Sequence, residues 1–282
     1  MQFHSSGSEV YVPDGSPAES AITRTTHLAV AAHQDDIEIM AYGGILECFG
    51  RKDKFFTGVT VTNGSGSPRE GLYARYTDEE MRAVRRLEQK KAAFVGEFSA
   101  HVFLDYTSAA VKDPASPDSV EDLKKLIAAA KPQVIYTHNL ADKHDTHVAV
   151  ALRLIRALRA LPRDSRPEHL YGCEVWRNLD WVKDSDKVVF DVEAHENLAM
   201  SLVGVFDSQI AGGKRYDLAT MGRRRANATY SASHGVDEST SLIFGLDLTP
   251  LIHDEQLDVT KFIRGFIDRF ADEVSSRIRQ LS

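Results

Sequence analysis

Four residues within six consecutive positions carry side chains suited to chemistry: His33, Asp35, Asp36 and Glu38. They directly follow the apolar run Leu28 to Ala32, which is typical of a short buried strand. Carboxylates placed side by side at the mouth of a buried strand repel one another unless a cation is present. His33 and Asp36 can give a divalent metal one nitrogen and one oxygen ligand from a single tight turn. Asp35 is then free to handle protons.

A second polar cluster follows another apolar run, Gln133 to Thr137, and extends into the start of a predicted helix. Its candidate residues are His138, Asp142, His144, Asp145 and His147. His144 and His147 are three positions apart, so both can point toward the same end of that helix. A catalytic zinc site typically uses three protein ligands and keeps one position open. One of these two histidines can complete such a site, with one Zn²⁺ per chain, and the other can be a proton donor or an electrophile.

The remaining polar residues of the two clusters have more than one interpretation. Glu38 is either a partner that supports the ligands, which we favour, or an ordinary acid in the first turn of a helix. His138 is most simply a loop histidine that caps a strand end, with support of the ligands as the alternative. Asp142 and Asp145 either accept hydrogen bonds from helix N–H groups, or one of them orients a ligand histidine.

The elements that position these residues follow from the pattern of apolar side chains. From Thr26 onward, runs of strand length alternate with segments of helical periodicity. This alternation predicts right-handed crossovers and a mostly parallel sheet with helices on both faces, which is a Rossmann-like, doubly wound α/β fold. Ligands bind such sheets beyond the carboxyl ends of the strands, and both polar clusters fall there.

Two of the predicted helices carry more specific expectations. Gly43 and Gly44 within a helix from Ile37 to Phe49 indicate that this helix packs closely on the sheet. A capping box at Thr77 predicts the start of a second helix. Its expected inward face consists of Met81, Val84, Leu87 and Phe94.

The domain organisation is expected to be simple. Residues 1–25 are polar and predict a loose N-terminal lead-in, and residues 26–282 predict a single α/β domain. The last third, residues 193–282, is expected to be more helical. Its final amphipathic helix, from Asp258 to about Gln280, is expected to pack on the domain or on another subunit, so a homo-oligomer is one alternative.

Composition excludes several classes of protein. The chain has 282 residues with 34 basic and 41 acidic side chains, and a net charge of -7 argues against a nucleic-acid partner. No apolar segment predicts a signal peptide or a membrane span, so no membrane partner is expected and the expected location is cytoplasmic. Cys48 and Cys173 each lie in an apolar context and are expected to be buried free thiols.

Two motifs together resemble the LmbE/PIG-L family of zinc-dependent de-N-acetylases, in its soluble bacterial-type branch. The family's Ala-His-Pro-Asp-Asp-x-Glu motif is similar to residues 32–38, and its His-x-x-His motif is similar to residues 144–147. The resemblance extends from about His27 to Gln209. It includes two weaker patterns, Arg85-Arg86-Leu87-Glu88 and Ser208-Gln209.

The resemblance implies a Rossmann-like fold and removal of an N-acetyl group, commonly from a glucosamine-containing sugar. Carried over residue by residue, it implies that His33, Asp36 and His147 bind zinc. It also implies that Asp35 is the general base and that His144 assists as an acid or an oxyanion stabiliser.

The chain departs from the family pattern at three positions. Gln34 replaces the proline of the first motif, and Thr146 replaces the usual aspartate of the second, with Asp145 one place earlier. Phe206 stands where family members often have a histidine, so that role would pass to another residue such as His234. The candidates for binding sugar hydroxyls are Arg69, Arg75, Asp142 and His234.

The function expected from these observations is hydrolysis of the acetamide of an N-acetylglucosamine-type sugar or conjugate, with a small-molecule amino sugar as the partner. A zinc amidase that acts on a larger amide conjugate is one alternative. Another is a catalytically silent protein that keeps the metal to organise a ligand-binding loop. The unligated carboxylate Asp35 argues against the second, since a binding module has no need of it.

Overall fold

The fold is centred on one eight-stranded sheet, described in a computed structural model of residues 1–282. The strands are β1 Glu9–Tyr11, β2 His27–Ala31, β3 Phe56–Thr62, β4 Ala100–Tyr106, β5 Val134–His138, β6 His169–Cys173, β7 Val188–Asp191 and β8 Leu242–Asp247. Their order across the sheet is β1-β4-β3-β2-β5-β6-β8-β7. The five central strands from β4 to β6 are parallel, whereas β1, β7 and β8 pair antiparallel at the two edges. The Rossmann-like, mostly parallel α/β fold is therefore confirmed.

Helices cover both faces of the sheet. They are α1 Ala18–Thr23, α2 Asp36–Met40, α3 Tyr42–Cys48, α4 Asp78–Val95, α5 Ser108–Lys112, α6 Asp118–Ala130, α7 Asp145–Arg159, α8 Glu196–Gly204, α9 Asp207–Ile210, α10 Tyr216–Thr229, α11 Pro250–His253 and α12 Val259–Leu281. Successive side chains of a strand point to opposite faces. Leu28 and Val30 of β2 accordingly pack in one apolar core, and Ala29 and Ala31 pack in the other.

The strand order creates a crevice at the centre of the sheet. Strand β2 lies between β3 and β5, so the chain leaves β2 toward one side and later returns to β5 on its other side. Adjacent connections diverge at such a point, and ligands of open α/β sheets bind there. The turn after β2 and the loop after β5 both open into this crevice, as the sequence predicts.

Several predicted boundaries are corrected. The helix expected from Ile37 to Phe49 is divided at Ala41, whose backbone has φ −112° and ψ 20°. Close packing of its second part is confirmed, because a Cβ on Gly44 would lie 2.8 Å from Cζ of Tyr136 in β5. The chain also forms β8 within the segment expected to be more helical, where the run Leu-Ile-Phe-Gly-Leu is buried on both faces of the sheet.

The N-terminal residues are not a loose lead-in. Residues Glu9–Tyr11 form the edge strand β1, and Phe3 is buried in the core. Arg86 and Lys90 of α4 hold this strand through ion pairs of 3.0 and 2.5 Å with Glu9. The composition of this segment is polar because it lies at the edge of the sheet, where charged side chains keep contact with water.

The buried face of α4 differs from the predicted one. Met81 is buried as expected, but Leu87 and Phe94 are 55% and 65% exposed. The helix instead buries three polar residues, which are Arg85, Glu88 and Gln89. This face lies against the loop that follows β2, so the polar side chains of α4 serve the site rather than the core.

Two further expectations concern the cysteines and membrane-spanning helices. Cys48 and Cys173 are both buried and form no disulfide. None of the helices combines the length and the apolar character that a membrane crossing requires.

Candidate metal centre and active site

The turn between β2 and α2 is fixed by its own side chains. The carboxylate of Asp36 accepts a 2.7 Å hydrogen bond from the backbone N–H of His33. Asp35 between them adopts φ 91° and ψ −30°, a conformation that non-glycine residues rarely occupy. Backbone strain of this kind persists only where the surroundings enforce it, and it is concentrated at functional sites. The turn therefore holds its acidic side chains in a defined arrangement that includes a strained backbone at Asp35.

Three ligand atoms converge at this turn. Nδ1 of His33 lies 3.1 Å from Nε2 of His147, and Oδ2 of Asp36 lies 3.3 and 3.4 Å from the same two nitrogens. Tetrahedral coordination with bonds of 2.0–2.2 Å separates ligand atoms by about 3.3–3.6 Å, and the observed separations lie within about 0.2 Å of that range. The residues present fit a zinc ion.

The surroundings of Asp36 favour the ionised form of its carboxylate. Burial opposes the ionisation of Asp36, but the neighbouring imidazoles, first of all His147, hold its pKa well below its ordinary value. His33 is kept neutral, because burial lowers its pKa to about 4 against the opposing effect of Asp36. A carboxylate and neutral imidazoles are the protonation states that a metal requires of its ligands.

Asp142 lies behind His147. Its Oδ1 is 3.6 Å from Nδ1 of His147 and accepts a 2.9 Å hydrogen bond from the backbone N–H of His144. Its Oδ2 accepts a 3.1 Å hydrogen bond from the N–H of Trp176. The side chain has no exposed surface, so the expectation that Asp142 binds sugar hydroxyls is corrected. Its position is that of a carboxylate that orients a ligand histidine.

Asp145, the other candidate for this orienting role, lies elsewhere. It is exposed in the first turn of α7, and its carboxylate accepts no hydrogen bond. The departure at Thr146 is thereby resolved in physical terms. The carboxylate that faces His147 comes from the preceding loop rather than from inside the motif.

His138 is the last residue of β5 and is fully buried. Its Nε2 accepts a 2.9 Å hydrogen bond from the backbone N–H of Ala32, and its ring stacks on His147 with centroids 3.9 Å apart. It therefore caps the end of the neighbouring strand β2 and supports His147 at the same time. Asp36, His138 and His147 form a second group with metal-ligand spacing, but the bond to Ala32 occupies the Nε2 lone pair of His138.

His144 stands at the open side of the cluster. It is the N-cap of α7, and its Nδ1 accepts a 3.2 Å hydrogen bond from the N–H of Thr146. The remaining nitrogen, Nε2, carries the proton in the neutral ring. His144 packs edge-on to His33 with centroids 4.9 Å apart, and it forms a third metal-ligand grouping with His33 and His147.

Asp35 is the acid of the turn whose carboxylate accepts no hydrogen bond. Its one ion pair is with Arg85, whose Nη2 lies 3.8 Å from Oδ2. Burial raises the pKa of Asp35 well above its ordinary value, against the opposing effect of Arg85. Gln89 holds the backbone in place, since its Oε1 accepts a 3.3 Å hydrogen bond from the Asp35 N–H.

Glu38 supports the turn through the same glutamine. Its Oε1 accepts a 2.7 Å hydrogen bond from Nε2 of Gln89, and burial raises its pKa to about 8. Gln34 fits the crevice despite replacing a proline. Its carbonyl accepts a 2.7 Å hydrogen bond from Arg85, and its side-chain amide lies 3.4 Å from the Thr62 carbonyl.

The other candidates for sugar binding form no hydrogen bond or ion pair with this cluster. Arg69 donates to the carbonyls of Ser65 and Tyr76 and pairs with Asp78, so it holds its own loop together. Arg75 and His234 are exposed and form no hydrogen bond or ion pair. Phe206 is buried in the core and offers no polar group.

Two groups of residues near the centre received no role from the sequence, although Arg85 and Glu88 belong to one of the two weaker patterns of the family resemblance. Arg85 and Gln89 were identifiable as polar residues on one face of a helix with apolar neighbours, and Glu88 on that face accepts 2.8 and 2.6 Å bonds from Ser208. Trp176 and Tyr216 had no signal in the sequence. Their rings lie 6.0 Å apart, and the Trp176 ring lies 6.5 Å from that of His144.

The comparisons with known proteins agree with this geometry. Residues 28–158 match the family model described as PIG-L, GlcNAc-PI de-N-acetylase. The uncharacterized deacetylase YaiS of Escherichia coli K12 is 28% identical over 157 residues, which cover 54% of this chain and 78% of that protein. The resemblance of residues 28–158 to the PIG-L/LmbE family is therefore confirmed, and the matched relative is described as a deacetylase.

Solved structures share the fold. The 4-carboxy-2-hydroxymuconate hydratase GalB of Pseudomonas putida KT2440 superposes with a TM-score of 0.61 at 17% identity, over 79% of this chain and 96% of that one. The N,N'-diacetylchitobiose deacetylase of Pyrococcus horikoshii superposes with a TM-score of 0.59 at 17% identity, over 78% of this chain and 83% of that one. Since one of these proteins is a hydratase, the fold alone does not define the reaction.

Proposed function

We propose that this protein is a zinc-dependent hydrolase that removes the N-acetyl group from an N-acetylglucosamine-type sugar or sugar conjugate. One observation carries the proposal. Nδ1 of His33, Oδ2 of Asp36 and Nε2 of His147 lie 3.1–3.4 Å from one another, beside Asp35, whose carboxylate accepts no hydrogen bond. The similarity of residues 28–158 to the PIG-L family and of the chain to a deacetylase supports the proposal.

The residues of the centre have separate tasks in this proposal. His33, Asp36 and His147 would hold the zinc ion, which supplies Lewis-acid chemistry by polarising an amide carbonyl and making water a stronger acid. Asp35 accepts the proton of the attacking water, because both of its oxygens are free of hydrogen bonds. His144 presents its Nε2–H to the open side of the centre.

The reaction balances with these groups. Water forms a bond to the acetyl carbon, and the bond from that carbon to the sugar nitrogen breaks. Asp35 takes the proton from water, and the leaving nitrogen receives a proton as the amine departs. A neutral His144 would become an imidazolate if it lost its Nε2 proton, so its task is to stabilise the negative charge that develops on the acetyl oxygen. Asp35 passes the proton that it took from water to the leaving nitrogen.

Acetate release tests the proposal directly. We expect the zinc-loaded protein to release acetate from a panel of N-acetylglucosamine conjugates. Acetate release should stop after treatment with a chelator and recover when Zn²⁺ is restored. The variant Asp145→Asn is a suitable control, because it changes an exposed carboxylate near the centre that accepts no hydrogen bond.

Two other outcomes would replace the proposal. Cleavage of larger amide conjugates without release of acetate would identify a zinc amidase. A protein that binds the sugars with zinc, but hydrolyses none of them and binds them equally well as Asp35→Ala, would be a metal-containing binding protein.

A further inference from the structure

A cavity of about 260 Å³ lies beside the metal centre. Its wall includes Trp176, Lys214, Tyr216 and Arg223. Two of these residues connect it to the centre. The Trp176 ring lies 6.5 Å from that of His144. Burial, together with the carboxylates of Asp35 and Asp36, raises the pKa of Tyr216. A substrate bound at the centre can therefore extend a substituent into this cavity.

Two cations of the cavity, Lys214 and Arg223, have no anionic partner. Nζ of Lys214 lies 4.7 Å from the centroid of the Trp176 ring and forms no ion pair. Arg223 donates to the carbonyl of Val175 and also forms no ion pair. Arg215 on the rim is different, because it pairs with Asp217 at 2.7 Å. No aspartate or glutamate lines this cavity.

A third cation without a carboxylate partner lies farther inside. Arg224 lines a smaller space that shares Ile39, Thr220 and Arg223 with the cavity. Its Nη2 donates a 2.8 Å hydrogen bond to the carbonyl of Glu38, whereas its Nε and Nη1 have no hydrogen-bond partner. Burial lowers the pKa of Arg224 to about 10, so the side chain keeps its charge at neutral pH.

One carboxylate, Glu174, also lines the smaller space, but its oxygens are already used. Oε1 accepts a 2.7 Å hydrogen bond from the N–H of Leu179, and Oε2 accepts bonds of 2.8 and 3.1 Å from Asn227 and Phe244. It forms no ion pair with Arg223 or Arg224. The cavity and its inner end thus carry an excess of positive charge in a chain whose net charge is -7.

We propose that this cavity, defined by Trp176, Lys214, Tyr216 and Arg223, binds an oxyanion of the substrate, either a carboxylate or a phosphate ester. Arginine and lysine beside a partly enclosed space are the side chains that recognise such groups, and the bonds that they form are strengthened by charge. Since the proposed reaction takes place next to the cavity, the substrate is an acidic N-acetyl amino-sugar conjugate. The identity of the sugar rests on the proposed function. The binding of an oxyanion in the cavity does not.

Equilibrium binding tests the inference without requiring hydrolysis. The probes are glucosamine, glucosamine 6-phosphate and muramic acid, measured by calorimetry on the zinc-loaded protein. We expect at least one acidic probe to bind about tenfold or more tightly than glucosamine at low salt, with a smaller preference at high salt. The ratio between the phosphate and the carboxylate probe identifies the oxyanion.

Variants separate this cavity from the metal centre, to which an anion can also bind. Lys214→Met and Arg223→Gln should each reduce the preference for the acidic probe at least severalfold. Arg225→Gln is the matched control, because Arg225 lies two positions after Arg223 in α10 and pairs with Glu196 at the surface. It should keep the wild-type preference.

The outcomes are distinguishable from those of the proposed function. Equal binding of the acidic probes and glucosamine, or a preference that survives in both Lys214→Met and Arg223→Gln, would overturn the inference. A preference that depends on these two residues supports it, even if no acetylated probe is hydrolysed. In that case only the proposed reaction fails.

Discussion

The residues of the centre owe their properties to neighbours that are distant in sequence. Asp36 is a carboxylate in the interior because imidazoles surround it, and Oδ1 of Asp142 lies 3.6 Å from Nδ1 of His147. Gln89 of α4 accepts a hydrogen bond from the Asp35 backbone, whereas the Asp35 carboxylate accepts none and pairs with Arg85 at 3.8 Å. Each acid of the turn therefore has a different environment.

We expect Asp142→Asn to weaken zinc binding by about 10- to 100-fold, the usual effect of losing a carboxylate that orients a ligand histidine. The amide can still accept the hydrogen bond from His144, so the loop should keep its conformation. Competition with a chromophoric chelator measures the change. Asp145→Asn should bind zinc like the wild type, and equal losses in both variants would show that Asp142 has no special role.

At the scale of elements, the site depends on how closely helices approach the central strands. Helix α3 packs against β5 at Gly44, and α4 turns a polar face toward the loop after β2. The predicted inward face of α4 was wrong at Leu87 and Phe94, because apolar periodicity assumes that a helix buries apolar residues. Here Arg85, Glu88 and Gln89 are buried through hydrogen bonds to Gln34, Ser208 and Glu38.

We expect Gly44→Ala to destabilise the protein by about 1–3 kcal/mol, because the new methyl group overlaps the buried ring of Tyr136. Urea unfolding of the metal-free protein measures this change. Gly222→Ala in α10 is the matched control. No atom lies within 4 Å of its added Cβ, so it should stabilise the helix by about 0.5–1 kcal/mol. Destabilisation by both variants to the same extent would contradict the packing argument.

At the scale of the whole molecule, the predictable features were those encoded locally. Alternating apolar runs predict the parallel centre of the sheet, and the two polar clusters predict which strand ends carry the site. The edge strand β1 was missed because it has only three residues and lies in a segment of polar composition, where ion pairs with α4 help to hold it. The placement of Asp142, Trp176 and Lys214 was also missed, since it depends on how distant loops and helices pack together.

Acid sensitivity is a further property of the whole molecule. His101 in β4 is fully buried, and burial lowers its pKa to about 3 from 6.5. The unfolded chain therefore binds this proton at a higher pH than the folded one. Its contribution to stability is complete above pH 6.5 and is lost as the pH falls toward 3.

We expect His101→Gln to unfold with a weaker dependence on pH than the wild type. The difference in the free energy of unfolding between the two proteins should change by about 2 kcal/mol between pH 6.5 and 4.5. Urea titrations of the chelator-treated proteins measure it. The exposed His253→Gln serves as the control, and parallel pH profiles for His101→Gln and wild type would contradict the assignment.

The central claim is that His33, Asp36 and His147 hold the metal while Asp35 moves the proton. The most direct test measures zinc content and acetate release together in Asp35→Asn and His147→Ala. The account predicts that Asp35→Asn keeps one zinc per chain and loses activity by about 10²-fold or more, whereas His147→Ala loses stoichiometric zinc. Near-wild-type turnover in Asp35→Asn, or full zinc occupancy in His147→Ala, would contradict it.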